Sequence, residues 1–342
     1  WIDKVKIKHP DSGLIGSRMP DVGNPWLDAG IVPFSTLSYN EDREYWEKWF
    51  PADFVVECFP GQFRNWFYSL LAMATVMEQK PPFKTLLGHA LVKDETGRDM
   101  HKSWGNTIWF EDAAEKMGVD VMRWLYASQN PEHNLNFGYS IADDVRKNLI
   151  TLWNTYSFFV TYANLDGFNP ENDIVSFEEY TDLDKWIISK MQNLIKESND
   201  CYSEFRVFHL MKSVTKFIDD LSNWYVRRSR RRFWRSENNI DKKAAYSALY
   251  EVLINLIKII SPIVPFVSEK MYQNLIINKG SRESIHLCDF PIFNEKFHNQ
   301  ELINNIDAII SIVSLGRSAR NRANIKNRQP LQKVFIYTPN SK

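Results

Sequence analysis

The sequence predicts an α/β segment over residues 1–138, an all-α helical bundle over 139–277 and a mixed remainder over 278–342. Three observations carry this. Before residue 138, β-leaning and apolar runs follow the order strand, buried helix, strand, loop, helix, which is the order of an α/β domain with parallel strands. From Asp143 to about Ile277 glycine is scarce, and apolar residues recur at helical spacing, as in Leu183, Trp186, Ile187, Met191 and Leu194. The longest apolar stretch, Val252 to Val267, is broken by Asn255, Lys258, Pro262 and Pro265, so it lacks the roughly 20 apolar residues of a membrane span.

Residues 1 to 50 are rich in Gly, Pro and Asp, with breaks at His9-Pro10-Asp11-Ser12-Gly13, Met19-Pro20-Asp21 and Asn24-Pro25, and predict loops and short strands. Phe54 to Phe59 reads as a strand stopped by Pro60-Gly61, and Gln62 to Glu78 as a helix apolar on all sides and therefore buried. Phe83 to Val92 predicts a second strand, followed by the polar loop Lys93 to Asn106 and an acidic helix start at Glu111-Asp112. Bundle helices are expected over 143–165, 181–203, 205–235 and 241–260, with a shorter one after Pro265. In the remainder, a helix is expected near 299–322 and a β-like run over Lys333 to Tyr337.

The 42 basic and 42 acidic side chains leave no net charge, so any charged partner must be held by a local patch. Cys58, Cys201 and Cys288 form no CxxC pair, which excludes a local zinc knuckle or disulfide framework and makes a reducing cytoplasm the expected compartment. The seven histidines are scattered without an HxxxH pair, so no metal site is expected. Walker, GxGxxG and GxSxG patterns are absent. The chain opens on Trp1 with neither an initiator Met nor a secretion signal, and is expected to be a fragment.

Two segments carry chemistry. The loop Asp94 to Asn106 combines flexibility, cations and small hydrogen-bonding residues after a strand, a setting that suits phosphates; the alternative is a solvated turn. One unit-charge contact at 4 Å there is worth about 4 kcal/mol at an effective dielectric of about 20, against about 1 kcal/mol in water. Arg227, Arg228, Arg230, Arg231, Arg232 and Arg235 are interleaved with Trp224, Tyr225, Phe233 and Trp234, and cations among stacking rings suit single-stranded RNA. Asp182, Asp184, Asp219 and Asp220 offset the charge of the patch elsewhere; the alternative for the block is that several of its arginines pair with helix-bundle acids and hold domains together.

The order of residues in the loop adds to this reading. Asp99-Met100-His101-Lys102-Ser103, followed by Gly105-Asn106, resembles the KMSKS loop of class I aminoacyl-tRNA synthetases. Five further segments resemble the isoleucyl-tRNA synthetases in order and spacing: Pro25 to Gly30, Trp49 to Asp53, Arg64 to Tyr68, Asn223 to Trp234, and Ser314-Leu315-Gly316-Arg317 to Gln329-Pro330-Leu331. The valyl enzymes share the first of these, whereas the arginine block and the late RQPL segment are isoleucyl in character.

The resemblance implies the second half of a Rossmann-like class I catalytic domain to residue 138, a helical anticodon-binding domain over 139–277 and a truncated junction over 278–342. It implies ATP binding by Met100, His101, Lys102 and Ser103, with Lys102 as the catalytic residue. Asp99 and His101 stand where the family carries a lysine and a serine, with Arg98 nearby to compensate. Trp66, Gln62, Glu57 and Trp26 are the implied amino-acid-binding residues. His89 matches a strand residue of the family rather than its HIGH signature. Trp224, Arg227, Arg228, Arg230, Arg231 and Arg232 are the implied tRNA-binding residues. The implied substrates are isoleucine, tRNA(Ile) and ATP with Mg²⁺; the family's N-terminal half, bearing the HIGH motif and editing domain, is either absent from the gene, removed, or a separate partner chain. A valine-tRNA ligase fragment, a non-catalytic tRNA-binding module and a structural helical protein are the competing readings.

Overall fold

The computed structural model describes residues 4–20, 24–234, 239–276 and 282–337. The backbone forms two compact units, Trp1–Met100 with Asn130–Asn136 and His101–Gln129 with Phe137–Lys342.

The first unit opens with an exposed antiparallel pair, β1 (Lys6–Lys8) and β2 (Ile15–Ser17). The predicted loop beyond it is instead a helix, α1 (Pro25–Ser35). The Asn24 side chain accepts the amides of Trp26 and Leu27, and Pro25 occupies the first helical position, where its missing N–H costs nothing. The same Asn-Pro pair that read as a break is therefore a helix start. After α2 (Arg43–Trp49), a core forms from Phe34, Trp46, Phe50 and Ala74. Trp46 stacks on Phe50 at 4.4 Å and donates its indole N–H to the Pro33 carbonyl at 2.8 Å, so its one polar atom is satisfied.

The expected parallel strands are β3 (Ala52–Cys58) and β4 (Phe83–His89), in register from Ala52 opposite Phe83 to Cys58 opposite His89. The short α3 (Phe59–Gln62) and α4 (Trp66–Glu78) connect them. The expectation that α4 is buried all round does not hold. It buries Phe67, Ser69, Leu70 and Ala74, while Tyr68, Leu71 and Val76 remain 65%, 50% and 78% exposed. The strand predicted to run to Val92 ends at His89 because the Ala90 amide turns to the Pro131 carbonyl and the Leu91 amide to the Asn134 side chain. A separate β5 (Val92–Asp94) then pairs with β6 (Leu135–Phe137).

The second unit contains α5 (Phe110–Met117), α6 (Val119–Ala127), α7 (Tyr139–Asp166), α8 (Asp182–Ser203), α9 (Val207–Asp219), α10 (Arg227–Trp234), α11 (Ile240–Ile260), α12 (Pro265–Leu275) and α13 (Gln300–Arg322). The period noticed in the sequence is the core face of α8: Trp186, Ile187, Met191 and Leu194 are all buried. α11 is buried on nearly every side and forms the centre of the bundle. The helix expected over 205–235 is interrupted by a π-helical segment, Asp220–Val226, between α9 and α10. Lys333 to Tyr337, predicted as β-like, forms no strand, and Val334, Phe335 and Tyr337 are largely exposed. Among the described residues no helix is long and apolar enough to cross a membrane.

Candidate active-site edge and nucleic-acid surface

In the first unit, the residues implied as the amino-acid site gather at one edge of the parallel pair. Glu57 stands one residue from the end of β3, level with Gly88 near the end of β4, and Gln62 and Trp66 follow directly on α3 and α4. The carboxyl ends of parallel strands are where α/β sheets bind ligands. Gln62 accepts the Trp66 amide at 3.2 Å through its side-chain oxygen, which caps α4, and Glu57 accepts the Cys58 amide at 2.9 Å.

Trp66 reaches sideways and donates its indole N–H to the Ala29 carbonyl at 3.3 Å, tying α4 to α1. Gly30 makes this close approach feasible: a Cβ there would lie 2.7 Å from the Ser69 carbonyl oxygen. Trp26, one turn earlier on α1, is partly exposed. The cavity of about 430 Å³ on this unit lies elsewhere, between Phe59, Phe63, Phe67, Tyr68, Leu71, Phe83 and Leu86, and none of the four implied residues lines it. It is almost wholly apolar, and the sequence reading did not single it out.

The phosphate-loop candidate begins as a tight turn. The Asp94 carboxylate accepts the amides of Thr96 and Arg98 at 2.9 Å each and the Thr96 hydroxyl at 2.8 Å, while Gly97 takes a left-handed φ of 84°. Asp99, standing where the family carries a lysine, forms an ion pair with Lys93. In the second unit, the His101 amide donates to the Asn106 side chain at 3.0 Å, and Lys102–Trp104 form a single 3₁₀ turn closed by Gly105. His101, Lys102 and Ser103 are exposed, and the Lys102 ammonium lies 4.8 Å over the Trp109 ring. Among the described residues no three His, Cys, Asp or Glu side chains converge to hold a metal ion.

The arginine block divides into two populations. Arg227, Arg228, Arg230 and Arg231 are exposed, and among the described residues none has a carboxylate partner. Arg228 lies over the Trp224 ring at 5.0 Å. Arg232 is a correction to the expected set, because its side chain is only 12% exposed and faces inward. It makes a two-pronged contact with the fully buried Asp184, at 2.8 Å on each prong, and also contacts the Asp241 carbonyl and carboxylate at 2.8 Å. Asp184 further accepts the Tyr225 hydroxyl at 2.7 Å and the amide and hydroxyl of Thr181. Burial is the largest single influence on Arg232 and pulls its pKa down, but the Asp184 hydrogen bonds together with the charges of Asp184 and Asp241 outweigh it and the value is raised. Burial, reinforced by Asp184, likewise pushes Tyr225 well above the usual phenol range. Arg235 lies outside the described residues.

A cleft of about 270 Å³ opens among Asn223, Trp224, Arg227, Arg228 and Arg317. The sequence reading placed Arg317 in a motif but gave it no role. Only the packing of α13 brings it beside the block.

A Rossmann-like edge with a phosphate-loop candidate, followed by a bundle with an exposed arginine face, defines a class I tRNA synthetase architecture. The family profile described as tRNA synthetases class I (I, L, M and V) matches residues 4–138, and that described as the anticodon-binding domain of tRNA ligase matches 184–336. The isoleucine–tRNA ligase of Clostridium acetobutylicum is 42% identical over 99% of this chain, and that of Clostridium kluyveri 43% over 98%. The chain is thus similar over nearly its whole length to isoleucine–tRNA ligases, which are class I synthetases. It spans about a third of the length of these curated relatives, 33% in each case. Two solved structures share the fold. A ternary complex of Agrobacterium radiobacter LeuRS with tRNA and LeuAMS matches 86% of this chain and 36% of its own, with a TM-score of 0.65 and 17% identity. Mycobacterium tuberculosis methionyl-tRNA synthetase with methionyl-adenylate matches 78% and 53%, with a TM-score of 0.61 and 17% identity.

Proposed function

We propose that this chain supplies the C-terminal part of the catalytic domain and the anticodon-binding bundle of an ATP-dependent isoleucine–tRNA ligase. The observation that carries the reading is the order along one chain of a parallel-strand edge, a KMSKS-like loop bearing Lys102 and a bundle with an exposed arginine face. In the reaction, an isoleucine carboxylate oxygen attacks the α-phosphorus of ATP and pyrophosphate leaves; a hydroxyl of the terminal ribose of tRNA(Ile) then attacks the aminoacyl carbonyl of the adenylate, and AMP leaves. Mg²⁺ travels with the ATP phosphates.

Lys102 acts as the mobile cation on the leaving phosphates. Its resting contact with Trp109 is worth about 0.5–1 kcal/mol at an exposed site. A phosphate contact at an effective dielectric of about 20 is worth about 4 kcal/mol, so the ammonium exchanges the ring for the nucleotide. Asp99, paired with Lys93, adds no positive charge, so the loop works with Lys102 and Arg98. Glu57, Gln62 and Trp66 form the amino-acid edge, with Trp26 beside them on α1. Domain 1–138 carries the chemistry, 139–277 the tRNA, and 278–342 the junction.

The test is isoleucine-dependent ATP–pyrophosphate exchange on this chain alone, with valine as competitor and Lys102→Ala as control, beside tRNA(Ile) binding across a salt series. No exchange together with salt-sensitive binding is expected, the rest of the catalytic domain being supplied by a separate segment. Exchange that disappears in Lys102→Ala would overturn the incompleteness, and no binding at low salt would overturn the tRNA role.

A further inference from the structure

We infer that the cleft between the π-helical segment and α13 is a pocket for one unpaired nucleotide of a bound RNA, with Trp224 as its stacking wall and Arg317 as a phosphate ligand. The inference rests on the RNA-binding reading above and names a site within it. The cleft is lined by three guanidinium groups, one indole and the Asn223 amide, and its volume of about 270 Å³ is of the order of a single base rather than a helix. A ring beside cations is the chemistry that holds unstacked bases irrespective of sequence; the Asn223 amide donates one N–H to Asp219 at 2.5 Å and keeps its second N–H and its carbonyl oxygen for a base edge.

The two walls are held by one buried ion cluster. The Lys190 ammonium on α8 lies 2.5 Å from Asp220, the first residue of the π-helical segment, and 3.2 Å from Asp307 on α13. Trp186 donates its indole N–H to the same Asp307 at 3.4 Å. From this shared tie α13 runs ten residues, about 15 Å of helix, to reach Arg317. On the other side the chain needs only four residues from Asp220 to present Trp224. Arg317 is exposed and, among the described residues, has no carboxylate partner. Lys190 is thus a positioning residue for the cleft, acting through Asp220 and Asp307.

A second hollow shares Asn223 with the first, and Lys212, Lys216 and Asp219 are among its lining residues. Lys216 already pairs with Asp220 at 3.4 Å, so Lys212 is the cation that a strand leaving the nucleotide pocket past Asn223 meets there.

The experiment uses the full chain and a fluorescent RNA hairpin with a single-stranded loop, compared with the same hairpin made abasic at successive loop positions and with an RNA duplex. Wild type is expected to lose about 10-fold in affinity at one abasic position, the size of one base–aromatic stack. Trp224→Leu is expected to bind the intact hairpin about 10-fold more weakly and to lose that position's abasic penalty. Arg317→Ala is expected to flatten the slope of log affinity against log salt by about 0.7, one single-strand phosphate contact, while leaving the thermal melt unchanged because the side chain is exposed. Salt-sensitive hairpin binding by wild type with no change in either variant would overturn the pocket and leave the RNA reading intact. No binding of any RNA by wild type would overturn both.

Discussion

Replacing Asp184 by alanine is expected to cost the bundle about 3–5 kcal/mol, the usual loss when one partner of a buried ion pair is removed. The carboxylate is fully buried and accepts from two Arg232 nitrogens, the Tyr225 hydroxyl, and the amide and hydroxyl of Thr181. Truncation strands a guanidinium whose remaining polar partners belong to Asp241. Against a total stability of about 5–15 kcal/mol, this is a large fraction. For a unit of this size it corresponds to a fall in melting temperature of about 6–20 °C. Arg232→Ala should fall by a similar amount, since it leaves the carboxylate buried and short of donors. The pair Asp184→Leu with Arg232→Met should recover part of the loss, because both buried charges are removed together and Tyr225 keeps the Ala245 carbonyl at 3.3 Å, while Thr181 still loses its acceptor. Urea denaturation of the four proteins gives these energies, and RNA titrations of the folded ones complete the test. The double variant should keep the wild-type salt slope. An Arg232→Ala protein of unchanged stability and reduced salt slope would refute the assignment of Arg232 to the core.

Two further expectations follow from local geometry. Gly30→Ala should destabilise the first unit by about 1–3 kcal/mol, the usual range for overpacking, because the new Cβ meets the Ser69 backbone at 2.7 Å and α1 must lift from α4; an unchanged melting temperature would refute the close approach. Glu251 on α11 has its pKa raised by burial, so in the window just above the free carboxyl value the folded state holds a proton that the unfolded chain has lost. Its contribution to stability therefore falls as pH rises through that window, and Glu251→Gln should melt above wild type at pH 7 and converge with it near pH 4.

Legibility in the sequence followed the range of the deciding interaction. The α8 core face and the pairing of β3 with β4 were readable because period and chain order are local properties. α1 was missed because Asn24-Pro25 carries two meanings, break and cap, and the choice depends on whether the following apolar residues find α4. α4 was read as buried because composition reports apolarity and not how much neighbouring surface is present to cover it. The pairing of some arginines with bundle acids was an open alternative, but which arginine turns inward depends on helix phase. That phase was hidden, because the π-helical segment at Asp220–Val226 shifts every following residue around the axis. Arg317 was beyond reach, since long-range contacts of α13 with α8, such as Lys190 and Trp186 on Asp307, bring it to the block.

The energetics of α10 also bear on function. Arg227 and Arg231, and Arg228 and Arg232, are like charges four apart on one helix, each pair costing about 0.2–0.5 kcal/mol. At 8 residues the segment is too short to be stable as a helix alone and is held by what it buries. Phe233 packs edge-on against Phe158 at 5.2 Å and Tyr246 at 4.8 Å, and Ser229 faces the same side. Arg232 is neutralised by Asp184, which leaves the exposed arginines without a carboxylate among the described residues. With equal numbers of acids and bases overall, the chain exerts little long-range attraction, and beyond about 8 Å physiological salt screens what remains. On the proposed RNA-binding reading, the patch acts on a polyanion already in contact, through guanidinium geometry and the Trp224 ring rather than through steering. Charge repulsion kept on a helix that packing must hold in place is what a binding face requires and a purely structural helix would shed.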